Sequence, residues 1–163
     1  MKYLFTGKTA TFDSLAVALG YLGLPNLEES PIFARLEIEN SGRAARIFND
    51  TNNDEYYIAA AKNPAIIATI NRELISLSRK NKVNSLQVIP LSIPGDTITQ
   101  ILVQLANLPL IGSWFLKWAR LRTLQRKDML FELGQNLLSE QKGNLNARPQ
   151  NIAAKPFQEK QEN

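Results

Sequence analysis

The stretch from Lys2 to Leu22 constrains the fold more than any other. A short apolar strand, Tyr3-Leu4-Phe5, runs through the polar loop Thr6-Gly7-Lys8-Thr9-Ala10-Thr11 into an apolar helix, Leu15 to Leu22. A strand that ends in a Gly/Thr loop and opens a helix is the usual first unit of an α/β sheet, and the helix N-terminus offers free backbone N–H groups to an anion. The helix stops at Gly23-Leu24-Pro25, where glycine supplies the cap and proline forbids continuation.

The rest of the chain can be laid around that unit. Ile32 to Glu39 alternates, with Phe33, Leu36 and Ile38 set among Arg35, Glu37 and Glu39, which predicts a half-exposed strand. Ala44 to Phe48 and Tyr56 to Ala60 read as a hairpin closed by Asn49-Asp50-Thr51-Asn52-Asn53-Asp54, and alternation places one of Tyr56 and Tyr57 in the core. Asn63-Pro64 opens a helix with Ile66, Ile67, Ile70, Leu74, Ile75 and Leu77 at helical spacing. It leads to the apolar strand Leu86 to Leu91, a βαβ crossover that makes the sheet mixed. Ile93-Pro94-Gly95-Asp96-Thr97 then turns the chain into a helix whose apolar face is Ile98, Ile101, Leu102, Leu105 and Ala106. One long or bent helix is expected from Leu110 to about Gln141.

The expectation is therefore a single α/β domain over residues 1–141. It has one mixed sheet with flanking helices in the order β-α-β-β-β-α-β-α-α and a helical C-terminus. Residues 142–163, rich in Asn, Gln and Lys with Pro149 and Pro156, are expected to form a disordered polar tail.

Composition removes several chemistries. With no Cys and no His in the chain, thiolate metal sites, cysteine nucleophiles and His-based triads are excluded, and any metal would need an all-oxygen set. No residues stand out as catalytic, and no cofactor or metal is expected. The hairpin loop Asn49 to Glu55 is acidic but lacks the glycine and closing glutamate of an EF-hand, so it reads as a solvated tip. The N-terminus lacks a signal-peptide pattern, which favours a cytoplasmic protein, peripheral to the membrane if its C-terminal helix docks there.

The first candidate site is the loop after the first strand. Gly7-Lys8-Thr9 matches the end of a phosphate-binding loop, but the glycine required five residues earlier is Lys2, so the loop is too short to wrap a triphosphate. A single phosphate or carboxylate on the N–H groups near Ala10 to Asp13 is the functional reading; a polar turn with Asp13 or Thr11 capping the helix is the ordinary one. The loop Pro94-Gly95-Asp96-Thr97 follows a parallel strand and should leave the same sheet edge. Gly7, Lys8, Thr9, Asp13, Ser14 and Asp96 could then converge on a small anionic ligand, with Lys8 as the clamp. Asp96 as a plain helix cap is the ordinary alternative.

The second candidate is the C-terminal helical segment. Residues 1–110 hold ten basic and ten acidic side chains, whereas 111–141 hold five against three and 142–163 four against two, so the net charge of +4 lies wholly in the C-terminal third. Trp114, Phe115 and Trp118 share a wide stripe beside Lys117, Arg120, Arg122, Arg126 and Lys127, with no acid until Asp128. This suits an interfacial helix on an anionic membrane surface or a protein partner; the ordinary reading is a core helix covering the sheet. Nucleic acid is not expected, since no other stretch combines aromatics with basic residues.

The order of a strand, a Gly-containing loop, an Ala-containing helix ending in Leu22-Gly23-Leu24-Pro25, a hairpin carrying Asp54-Glu55-x-Tyr57, a βαβ unit and an apolar C-terminal helical segment resembles an uncharacterised family of small bacterial proteins, domain of unknown function 3189. The resemblance covers about Met1 to Leu138. That family's first loop carries a Gly-Gly pair before a His and paired Ser residues, whereas this chain has Gly7 alone, no His and Ser14 alone. The resemblance implies no activity that could be carried over.

Overall fold

A computed structural model describes residues 1–24, 26–51, 53–77 and 86–146. The strand β1 (Lys2–Gly7) leads through one π-helical turn, Ala10–Ser14, into α1 (Leu15–Leu22). A short α2 (Leu36–Asn40), the hairpin strands β2 (Ala45–Asn49) and β3 (Glu55–Ala60), α3 (Pro64–Leu77) and β4 (Leu86–Pro90) follow. Three helices close the chain: α4 (Asp96–Leu105), α5 (Gly112–Gln125) and α6 (Lys127–Asn146). The sheet is four-stranded in the order β2-β3-β1-β4. β1 pairs in parallel with both β3 and β4, and β2 is antiparallel to β3, so the protein is a mixed α/β fold with a helical C-terminus. The crossover through α3 thus carries the chain past β1, which lies between the two strands it joins.

Ile32 to Glu39 is not a strand. Its second half coils into α2, and Phe33 turns inward against Phe12 with ring centroids 6.2 Å apart. Alternation alone could not separate a short helix from a strand; what decides is Glu39, whose buried carboxylate finds its donors in the first loop. The segment expected to form one long or bent helix is bent at Arg126, whose φ of −102° and ψ of 5° turn α5 into α6. α6 then runs to Asn146, so residues 142–146, expected to begin a disordered tail, are helical. The remainder of that tail, 147–163, lies outside the described residues.

The core is built on α1, buried from Leu15 to Tyr21 between the sheet and α6. Phe5 of β1 meets the edge of Tyr21 at 5.1 Å. Two glycines set the approach of the helices. A Cβ on Gly20 would lie 2.5 Å from the Phe131 carbonyl oxygen, and one on Gly134 would lie 2.2 Å from that of Val17, so α1 and α6 pack backbone to backbone. In the hairpin it is Tyr56 that packs inward, leaving Tyr57 half-buried.

The outer helices are less conventional. In α4 the buried face is Asp96, Thr99 and Val103, while Ile98 and Ile101, on the apolar face read from the sequence, are exposed. In α3, Ile66, Ile70 and Leu74 are likewise exposed and Ala68 faces in.

Candidate functional site

The start of the first helix is an anion-binding geometry that the chain fills itself. Thr9 is the cap: its Oγ1 accepts a bond from the Asp13 N–H at 3.3 Å, so neither Asp13 nor Thr11 has that role. The Glu39 carboxylate accepts from the Ala10 N–H at 2.8 and 2.9 Å, the Thr11 N–H at 2.7 Å and the Thr11 hydroxyl at 2.9 Å. The N–H groups that could have held a free phosphate are therefore taken by a glutamate from α2. Burial raises the Glu39 pKa, and the Thr11 and Ala10 donors oppose that rise. Sequence reasoning missed Glu39 because it lay inside an expected strand. The available signal was an acidic residue in a segment of helix formers, near a loop rich in N–H donors.

Asp13 points the other way, into the junction between α5 and α6. It is fully buried and accepts from the Thr123 hydroxyl and from Arg126 Nη1, each at 3.0 Å. Arg126 Nη2 also donates to the Pro94 carbonyl, and Arg122 Nη2 donates to that of Gly95 at 3.4 Å. The two arginines thus tie the junction to the loop after β4. Burial raises the Asp13 pKa against the pull of the Arg126 charge. Among the described residues the buried hydroxyls of Thr6 and Ser14 have no hydrogen-bond partner. Ser14 Oγ lies so close to Gly7 that a Cβ there would sit 2.1 Å from it.

The loops after β1 and β4 do meet, as the sequence predicts. Lys8 Nζ lies 3.0 Å from Asp96 Oδ1 and donates to Thr97 Oγ1 at 2.5 Å. Asp96 is the first residue of α4 rather than its cap, a position held by Gly95 at a φ of 75°. A cleft of about 560 Å³ opens beside this pair, lined by Lys8, Asn63, Pro64, Ser92, Gly95 and Thr97 among others. Of the six residues expected to converge, Lys8 and Asp96 line it. Gly7, Thr9, Asp13 and Ser14 do not.

The second candidate surface is the hairpin of α4 and α5. Trp114 and Trp118 are 56% and 53% exposed, their rings 5.0 Å apart, while Phe115 is half-buried with its ring edge on Trp114. Both tryptophans therefore stand outside the core that covers the sheet. Ile111 and Leu121 continue the stripe along α5, and Leu108 and Leu110 form the tip. The tip is an ordered turn: Leu108 N–H bonds to Leu105 C=O at 3.0 Å, Gly112 N–H to Leu108 C=O at 3.0 Å, and the Asn107 amide pairs with that of Asn40. At its apex Leu110 has a φ of 74° and is 101% exposed. Of the basic residues expected to face a membrane, Arg122 and Arg126 are engaged inside. Arg120 is exposed and lies over the Phe33 ring at 5.5 Å, and Lys127 lies over Phe131 at 5.4 Å.

Among the described residues no helix is long and apolar enough to cross a membrane, and no group of three or more acidic side chains could hold a metal ion. Comparison with known proteins finds no matching family model, no matching curated sequence and no matching solved structure.

Proposed function

We propose that this protein docks peripherally on an anionic membrane surface through the α4–α5 hairpin. The observation that carries the reading is Leu110: a leucine in a left-handed conformation costs about 1 kcal/mol, and among the described residues this one gains no burial in return, its side chain being fully exposed at an ordered tip. Insertion into a lipid interface would supply the missing burial, about 1.5–3 kcal/mol for such a side chain. Trp114 and Trp118 behind it are suited to the headgroup level, where amphipathic rings collect. Charge favours an anionic surface, because the chain has no acidic residue between Asp96 and Asp128 and carries exposed Lys117 and Arg120 on α5. With Arg122 and Arg126 turned inward, apolar insertion contributes more than Coulomb attraction.

Co-sedimentation with vesicles of anionic and of zwitterionic lipid tests this. The protein should pellet with the anionic vesicles and lose most of that binding in the Leu110→Asp variant. A wild-type protein that stays in the supernatant with anionic vesicles at low salt rules the reading out.

A second reading rests on the cleft beside Lys8, where a small anionic ligand would meet one cationic side chain at the loops after the first and last strands. Such a ligand must displace Asp96 from Lys8, so the affinity is modest. Thermal-shift titration with phosphate, sugar phosphates and nucleotides tests it. Stabilisation lost in Lys8→Ala supports the reading, and no stabilisation at millimolar ligand removes it.

A further inference from the structure

The tip between α4 and α5 is held in shape as well as being apolar. A Cβ on Gly112 would lie 2.2 Å from the Ala106 carbonyl oxygen, so the start of α5 is seated directly on the end of α4. The Ile111 N–H bonds to the Pro109 carbonyl at 3.0 Å. Asn107 Nδ2 donates to the Val103 carbonyl at 3.2 Å and to Asn40 Oδ1 at 2.6 Å, which ties the tip both to α4 and to α2. From this fixed frame Leu108, Leu110 and Ile111 stand out, 45%, 101% and 50% exposed, with Trp114 and Trp118 behind them. Charge on the same helix is thin. The exposed cations of α5 are Lys117 and Arg120, and Arg120 already lies over the Phe33 ring, while Arg122 is turned toward the Gly95 carbonyl.

Resting on the reading that this hairpin docks on an anionic membrane, we infer that it selects loosely packed, highly curved bilayers over flat, tightly packed ones. A surface that binds through many lysines and arginines is held to a flat anionic bilayer by Coulomb attraction alone and need not enter it. Two exposed cations supply little of that attraction, so binding depends on burying Leu110 and the residues beside it among the lipids. Binding that rests on buried apolar area is sensitive to curvature and lipid composition. The cause here is steric. A tip whose backbone is fixed by Gly112, Asn107 and Ile111 cannot flatten to suit a closed headgroup layer, so space for its side chains must come from the lipid. Where curvature or poorly matched chains spread the headgroups, that space is already present and nothing has to be pushed aside.

The test measures binding of the full chain, per unit of accessible lipid, to small sonicated and to large extruded vesicles of one anionic composition. Binding to the small vesicles should be several-fold tighter. Leu110→Ala should shrink that preference, because it removes the side chain that needs the space. Ser113→Lys, at an exposed position in the first turn of α5, should instead strengthen binding to both sizes by a similar factor and leave the preference in place. Equal binding to the two sizes, or tighter binding to the large ones, overturns the inference and leaves the docking reading standing; binding to neither overturns both. A preference that Leu110→Ala does not reduce also overturns it. Sedimentation velocity without lipid completes the test: a dimer that Leu110→Asp dissociates would put a second copy of the chain on this surface and overturn the inference.

Discussion

The junction beneath the first loop and the tip of the α4–α5 hairpin are inverted with respect to each other. Inside the junction the chain has buried Asp13 and Thr123, with Arg126 drawn in against Asp13. Outside, at the tip, it displays Leu110, Ile111, Trp114 and Trp118. A protein short of apolar residues would have moved those side chains inward, and one selected only for stability would have replaced the buried charges with apolar groups. The contrast separates two sources of constraint. The junction is held by groups that satisfy one another, whereas the tip holds groups that nothing in the described chain satisfies. It is this exposed apolar stripe that the proposed docking would bury.

The largest effect should come from breaking the junction. Arg126→Ala leaves the Asp13 carboxylate buried without its counter-charge and frees the Pro94 carbonyl, and should cost about 3–5 kcal/mol in urea unfolding. Trp114→Ala and Trp118→Ala on the exposed stripe should change stability by less than about 0.5 kcal/mol. Equal losses at both places would erase the contrast.

Glu39→Gln comes next. It replaces a carboxylate that accepts from two backbone N–H groups and a hydroxyl with an amide whose NH2 must face at least one donor, and should cost about 1–3 kcal/mol. If the same variant instead gains stability and binds phosphate at the vacated donors, the carboxylate is a replaceable plug rather than a fixed part of the loop.

Leu110→Asn sharpens the comparison from the other side. Asparagine tolerates the left-handed backbone that leucine resists at a φ of 74°, so the variant should gain about 0.5–1 kcal/mol while losing vesicle binding. A residue whose replacement improves the fold and impairs docking is retained for docking.

The smallest effect is in pH. Burial raises the pKa values of Asp13 and Glu39 in the fold, so the native state holds these protons over a pH range in which the unfolded chain has released them. Their contribution to stability is complete below the unfolded values and is lost as pH rises through the folded ones. Asp13→Asn removes the Asp13 share. The difference in unfolding free energy, wild type minus variant, should therefore decline as pH rises above the ordinary carboxylate range, and a difference that rises with pH contradicts the assignment.

Much of the fold could be read from the chain because each signal was local. The Gly23-Leu24-Pro25 stop, the Asn/Asp-rich hairpin loop and the βαβ order are all decided by neighbouring residues. The meeting of Lys8 and Asp96 followed from topology, as both sit at the ends of parallel strands. What could not be read was long-range pairing. The bonds from Glu39 to Ala10 and from Arg126 to Asp13 span 29 and 113 residues, and no periodicity encodes them. The same pairing explains why the basic run after Trp118 was over-read: Arg122 and Arg126 sit in sequence beside the exposed stripe, but the turn at Arg126 brings both guanidinium groups to the Pro94-Gly95 loop.

The most direct measurement uses the two tryptophans, the only ones in the chain and both on the hairpin surface. Intrinsic fluorescence during titration with anionic vesicles, with acyl-chain quenchers at graded depth, reads that surface and little else. The expected result is a blue shift that saturates with lipid, quenching strongest near the headgroup boundary, and only partial reversal by high salt. Emission that keeps its solvent-exposed wavelength at saturating anionic lipid contradicts the docking account.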